Sequence, residues 1–255
     1  AGVMNKLGLF LLCLLFVTLA PAQGLTLRAA TANWYPFAYY DEQEQLKGIS
    51  VEIMQHLARQ TGNQVEIRLY PAKRLAQLFR QGKLDINIAD SPLWNPRDPR
   101  SPPLFSISYL TVNEFLYFPA DQKQQVTNVS DLKNMRIGTE LGYYYPMLEP
   151  AFRTGAIERI EYQQATDMLT PLLRHHLDAM AMDEWLFSYL LKMKQLDPHR
   201  FQRGLQLSST PLGLKLHPSL QALKPELHSA LKTMLEDGTI TTIIDHYTEA
   251  QTEHK

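Results

Sequence analysis

The sequence predicts a two-lobed α/β protein whose chain crosses twice between its lobes. Two observations carry that expectation. Strand-like and helix-like segments alternate in two separate blocks, and each block is followed by a long extended run where another helix would be due. Strands separated by helices read as βαβ units with a parallel sheet, so each block forms one Rossmann-like lobe and the extended runs join them.

The chain opens with Ala1, Gly2 and Val3, which read as a leftover of cloning or an early start. From Met4 it reads as a secretory signal: Lys6, then the apolar stretch LGLFLLCLLFVTLA, then APA (20–22) as a small-residue cleavage site. That apolar run is about 14 residues, short of the roughly 20 that a bilayer-spanning helix needs. The expected signal peptide is therefore 1–22 and the expected location the periplasm. The single cysteine, Cys13, falls inside it, and Leu12 stands where a lipoprotein would carry a small residue. The mature chain then holds no disulfide, as suits an exported protein of this size. Losing Lys6 leaves 24 basic against 26 acidic residues, a net of −2, which gives no footprint for nucleic acid or an anionic membrane.

LTLRAAT (25–31) is the first strand. The next stretch, TANWYPFAYY (31–40), gathers five aromatics around one proline. Pro36 keeps Tyr35 extended, so the stretch reads as a loop at a strand end. SVEIMQHLARQTG (50–62) follows as a helix with Val51, Met54, Leu57 and Ala58 on one face and Gly62 as its C-cap. QVEIRLY (64–70) alternates like a strand. PAKRLAQLFRQG (71–82) is a helix with Pro71 near its first position and Leu75, Leu78 and Phe79 on one face. DINIA (85–89) is the third strand. The first extended run is FSISYLTVNEFLYFP (105–119).

The second block repeats the alternation. MRIGT (135–139) and IERIEYQ (157–163) read as strands, ATDMLTPLLRHH (165–176) as a helix, LDAMAM (177–182) as a strand and DEWLFSYLLKMKQ (183–195) as a helix. The second extended run, LQLSSTPLGLKL (205–216), precedes two closing helices around Glu226 and Thr241. The expected lobes are 25–112 plus 212–255, and 118–206, with the hinge near 111–118 and 207–214.

Open α/β sheets bind ligands beyond the carboxyl ends of their strands. Trp34, DSPLWNPR, ELGYYY and DEW all follow strands, so all three tryptophans (Trp34, Trp94, Trp185) lie at or just past strand ends. The aromatics of 34–37 are therefore expected to line the crevice.

In their order these segments resemble the periplasmic solute-binding proteins of the polar amino-acid type, family 3, the soluble receptors of bacterial ABC importers. The motifs are the aromatic-Pro-Phe loop with its following glycine and helix (WYPFAYYDEQEQLKGISVEI), GKLDINIA, WNPR, FSISY, DLKNMRIG, LDAMAMDE and LEDGTITTIIDHY. They cover 25–249, and seven in order are specific where each alone is weak. The resemblance implies the type II periplasmic-binding-protein fold, capture of a small polar ligand between the lobes, an inner-membrane permease as partner, a monomer and no cofactor. It assigns Arg97 to a ligand carboxylate, for which a planar guanidinium fork is suited. It assigns Asp183 to a ligand ammonium, Trp34 to an aromatic platform, and the turn with Tyr143 and Tyr144 to the second-lobe contact. Asp183 also reads as a helix N-cap, and Asp178 as structural.

The loop ADSPLWNPR departs from the family's hydroxyl-rich pattern. Asp90 brings an acid, Pro92 has no N–H, and Trp94 replaces a threonine. Tyr143, Tyr144 and Tyr145 stand where threonines are common in the family. An added acid and added rings suit a cationic or aromatic-faced ligand.

Other classes fit less well. The eight histidines include the adjacent pair 175–176 but no metal-binding spacing such as H-E-x-x-H, so no metal is expected. No G-x-S-x-G occurs, and the mature chain has no thiol nucleophile. By resemblance, a stand-alone sensor of the same fold is an alternative, and so, further off, is a dehydratase-like enzyme using Asp90, Asp183 or Glu184.

Overall fold

The computed structural model describes residues 24–95 and 103–249. The proposed signal peptide and Arg97 lie outside those residues. Strand β1 (Thr26–Thr31) leads into a small hairpin, β2 (Tyr39–Tyr40) and β3 (Leu46–Lys47). Then come α1 (Ile49–Gln60), β4 (Gln64–Leu69), α2 (Ala72–Arg80) and β5 (Ile86–Asp90). The short β6 (Leu104–Phe105) and the long β7 (Leu110–Pro119) follow. The second block is β8 (Arg136–Glu140), α3 (Glu149–Thr154), β9 (Glu158–Tyr162), α4 (Leu169–Leu173), β10 (Ala179–Asp183) and α5 (Glu184–Met193). Strand β11 (Phe201–Leu216) then leads to α6 (Lys224–Glu236) and α7 (Thr239–Thr248).

Two parallel triplets form, β4–β1–β5 and β9–β8–β10, each with its first strand in the middle. Each triplet is extended by an antiparallel long strand, β11 beside β5 and β7 beside β10. The two long strands also pair with each other, from Phe201 opposite Pro119 to Leu212 opposite Leu110. At Gly213 strand β11 changes partner and meets Asp90 of β5. A Cβ on Gly213 would lie 3.2 Å from both the Ile107 carbonyl and the Ser106 hydroxyl, so the changeover is closely packed. This is a two-lobed α/β fold, with β7 and β11 carrying the chain between the parallel triplets.

One device recurs in both triplets. Asp85 accepts from the Arg28 backbone N–H (2.8 Å) and guanidinium, while that guanidinium also donates to the Gly82 carbonyl. Asp178 accepts from the Arg136 N–H (2.7 Å) and guanidinium, and the His175 carbonyl takes the remaining bond. Gly82 and His175 both have positive φ, 67° and 58°. Each clasp ties the first strand of its triplet to the start of the third. Asp178 is thereby spent on the scaffold.

The main core is continuous between the blocks. It joins Leu27, Ile53, Ile86 and Leu214 to Met168, Leu172, Met180 and Met182. A second core (Leu116, Phe118, Leu132, Ile137, Tyr145, Ala181) lies on the other face of β7–β10–β8. On the first-block side, Tyr189 of α5 packs on Tyr35 and Tyr39, with centroids 5.8 and 5.7 Å away.

Three local departures from the sequence expectation have physical reasons. Residues 106–109 leave strand geometry between β6 and β7, although Ser106 and Tyr109 still donate to Leu214 and Leu212 of β11. The helix expected over 165–176 is a 3-10 turn (Ala165–Met168) followed by the short α4, which stops where His175 turns to positive φ. Helix α3 has only six residues, too few to show a period.

Candidate functional site

The loop after β1 closes on itself. Trp34 and Ala38 form a bridge, and the Pro36 and Phe37 carbonyls accept from Ile49 and Ser50 at the start of α1. A Cβ on Gly48 would lie 2.2 Å from the Phe37 oxygen, and its φ of 132° suits glycine, so the join requires that residue. The aromatics of the loop consequently divide. Phe37 is fully buried in the core and so is not the cleft surface expected of 34–37, while the half-buried Tyr35 stacks on Tyr39, 4.4 Å between centroids. Trp34 faces outward from Phe37 (4.2 Å) towards Trp94 (6.0 Å).

Trp94 ends a one-turn 3-10 helix, Pro92–Trp94, and is half exposed. Asp90 braces that turn. It accepts from the Ser91 N–H (2.7 Å), the Asn95 amide (2.9 Å) and the Asn87 amide (3.1 Å), and Lys215 donates to Asn95 (2.6 Å). Burial raises the Asp90 pKa, with these donors and Lys215 opposing it. Its lone pairs are largely committed to the loop.

Asp183 closes β10 and caps α5, accepting from the Leu186 N–H at 2.8 Å. Burial, reinforced by Glu114, pushes its carboxyl up to about 7, against hydrogen bonding from the Leu186 and Trp185 amides and the Trp34 side chain. Trp34 of the first block thus lies close enough to Asp183 of the second to influence its carboxyl. Trp185 is engaged elsewhere, its indole N–H donating to the Thr111 carbonyl (2.8 Å) and pinning the start of α5 to β7.

Two acids on the strands flanking β10 were not singled out in the sequence. Glu114 of β7 stands opposite Asp183 in the β7–β10 ladder and accepts from the Ser208 hydroxyl at 2.7 Å. Glu140 ends β8. Burial raises both pKa values, and Glu114 adds to the effect at Glu140. The signal was available for Glu114, a lone acid in the otherwise apolar or neutral run LTVNEFLYFP. After Glu140 the chain turns at Gly142 (φ 81°) and presents Tyr143, half exposed, and Tyr144, 71% exposed. The Tyr143 hydroxyl pKa is raised by burial and then by the charges of Glu140, Asp183 and Glu114. Tyr144 points to solvent, and Tyr145 is in the second core. The structure thus gathers Trp34, Trp94, Asp183 and Tyr143 at the strand ends, with Asp90 behind Trp94.

This arrangement sets a pH dependence. The groups bearing on Asp183 are Glu114, Tyr143, Tyr117 and the Trp34 indole. The folded carboxyl keeps its proton up to about pH 7, whereas an unperturbed one loses it near 3.8. The folded protein then binds more protons in that window, so its ligand-free stability is full below about pH 4 and declines as pH rises through about 7. The slope is at most about 1.4 kcal/mol per pH unit for one group. Urea unfolding at pH 5 and pH 8 should show the decline, and Asp183→Asn should flatten it.

A family model described as bacterial extracellular solute-binding proteins, family 3, matches residues 27–250. No curated protein matches the chain in sequence. Among solved structures, an ancestral arginine-binding protein bound to arginine is similar at 20% identity, covering 87% of this chain and 97% of that one, with a TM-score of 0.64. An ancestral cationic amino acid solute-binding protein is similar at 19% identity over 88% of this chain and 96% of that one, TM-score 0.72. The L-cystine solute receptor of Neisseria gonorrhoeae, in its unliganded open conformation, is similar at 17% identity over 91% and 95%, TM-score 0.70. At such identities these likenesses speak for the fold.

Proposed function

The chain belongs to family 3 of the bacterial extracellular solute-binding proteins, and from that premise we propose that it captures a small solute bearing a cationic group for an ABC importer of the inner membrane. The observation that carries the ligand class is the approach of the Trp34 indole, with Trp94 6.0 Å from it, to the buried carboxyl of Asp183 from the other block, whose charge also reaches Tyr143. A buried carboxylate beside indole and phenol rings favours an ammonium or guanidinium through ion pairing and cation–π contact. Similar proteins that bind arginine or cationic amino acids support the same class.

In this reading Arg97, two residues beyond the braced Asn95 in the sequence, takes a ligand carboxylate. The lobes are 25–112 plus 212–255, and 118–206, and they close about β7 and β11 by hinge motion. The protein is a monomer delivered to the periplasm by the segment 1–22. Among the described residues no helix is long and apolar enough to cross a membrane. Asp90 shapes the loop more than it holds the ligand, and Tyr144 meets the ligand or the opposite lip on closure. The bound solute leaves unchanged, as from a receptor and not an enzyme.

A thermal-shift screen against amino acids, polyamines and aromatic acids tests the reading. A ligand at 100 times its Kd adds about 2.7 kcal/mol of stability, and cationic solutes should lead the ranking. A dicarboxylate or acidic amino acid leading instead would overturn the charge argument.

A further inference from the structure

Strand β9 ends the second-block sheet, and Arg159 stands in it opposite Ile137 of β8. Neighbours in register share a face, and Ile137 lies fully buried in the second core. An arginine therefore occupies a core-facing position where an apolar side chain would be due. Its guanidinium lies 4.2 Å over the Phe152 ring, which packs against that same core. It pairs with Glu149 at the start of α3, and the two side chains are only 22% and 20% exposed, too covered for an ordinary surface bridge. Replacing such a pair by apolar groups of similar size is often neutral or stabilising. The core alone gives no reason for the charge.

The reason lies in the turn after β8. The Arg159 guanidinium also donates to the Tyr143 carbonyl at 3.2 Å, while the Glu149 carboxylate accepts the Tyr145 N–H at 3.1 Å. One ion pair thus holds the backbone on both sides of Tyr144. Strand β9 supplies a third tie, its Tyr162 carbonyl accepting the Leu141 N–H at 2.8 Å. The Tyr143 N–H closes the turn onto the Glu140 carbonyl at 3.1 Å. Three successive tyrosines have three different fates there. Tyr145 is 3% exposed in the second core, Tyr144 points to solvent, and Tyr143 stays half exposed at the strand ends. No intrinsic preference distinguishes three identical side chains, so the backbone ties decide which ring goes where.

We propose that Arg159, together with Glu149, is a positioning residue of the crevice, acting through the backbone of the turn to hold the Tyr143 ring where the solute is captured. The inference rests on the receptor reading above and adds to it a pair of residues seated behind the strand ends. The first block has a counterpart. There Asp90, Asn95 and Lys215 brace the turn that ends in Trp94. Each half-exposed ring, Trp94 on one side and Tyr143 on the other, is thus held from behind by charged groups.

The double variant Arg159→Met with Glu149→Gln tests it. Both charges go, an apolar chain still covers Phe152, and an amide oxygen remains for the Tyr145 N–H. The ligand-free Tm should stay within about 3 °C of the wild type. Hydrogen exchange without ligand should be at least about tenfold faster over 141–147 and unchanged in β10. With L-arginine as the probe, calorimetry should show affinity weakened about tenfold, the order of one charge-assisted hydrogen bond. In a Tyr143→Ala background the same double change should cost less than about twofold more, because residues acting through one group are not additive. Exchange over 141–147 left unchanged overturns the inference, and so do losses that simply add in the Tyr143→Ala background. Wild-type affinity for L-arginine despite faster exchange confines the pair to the scaffold and overturns it as well. If the double variant fails to fold, Arg159→Lys takes its place under the same outcomes, since it keeps a charge beside Glu149 but loses the fork that also reaches Tyr143. If L-arginine does not bind the wild type, the cationic-solute reading falls. The ligand-free exchange then decides for Arg159 alone, faster exchange upholding its hold on the turn and unchanged exchange removing it.

Discussion

Asp183→Asn is expected to weaken capture of the cationic ligand by roughly 2–5 kcal/mol, the range for removing one partner of a desolvated charge pair. The substitution is chosen to separate charge from fold. An asparagine oxygen still accepts the Leu186 N–H that caps α5, so the helix start survives. The ligand-free variant should be at least as stable as the wild type at pH 8, where the wild type must ionise a buried acid beside Glu114. Asp90→Asn should cost much less affinity. Its acceptors serve Asn87, Ser91 and Asn95, and Lys215 already lies close by. Calorimetry on both variants decides the matter. Equal losses would mean that Asp90 reaches the ligand after all, and no loss in Asp183→Asn would remove the ligand acid from the second block.

The two-lobed architecture was legible because its signals are local. Helix α1 shows its buried face at Val51, Met54, Leu57 and Ala58, and Gly62 and Gly82 stop the first two helices with positive φ. The Arg–Asp clasp shared by the two blocks was not legible. Arg28 and Asp85 are 57 residues apart, Arg136 and Asp178 only 42, so the same clasp leaves no fixed period in the sequence. Trp34 and Asp183 could be singled out as candidates because each follows a strand and matches a family motif. Phe37 and Trp185 share that position but serve the core and the β7 contact, a distinction that only packing reveals. Glu114 and Glu140 become neighbours of Asp183 only through strand order, β7–β10–β8, which no segment encodes by itself.

Arg97→Ala should be as damaging as Asp183→Asn, again roughly 2–5 kcal/mol if the ligand has a carboxylate. The argument begins with charge balance. Asp183, Glu114 and Glu140 make the second-block side of the crevice acidic, so an amino-acid carboxylate has no electrostatic welcome there. In the proposed reading it is held from the first block, where the WNPR motif that follows β5 in the sequence brings the cation. Asp90 fixes the base of that loop by holding Asn95, leaving a short span of chain to the guanidinium. Arg97→Lys should recover only part of the loss, because an ammonium offers a point charge where the fork makes two parallel bonds. The outcome also separates ligand classes. Against an alkyl diamine, which has no carboxylate, Arg97→Ala should leave affinity unchanged or raise it by removing a like charge. Against a basic amino acid it should be severe. Full affinity of Arg97→Ala for an amino-acid ligand would place the carboxylate elsewhere and return the WNPR motif to the surface of the loop.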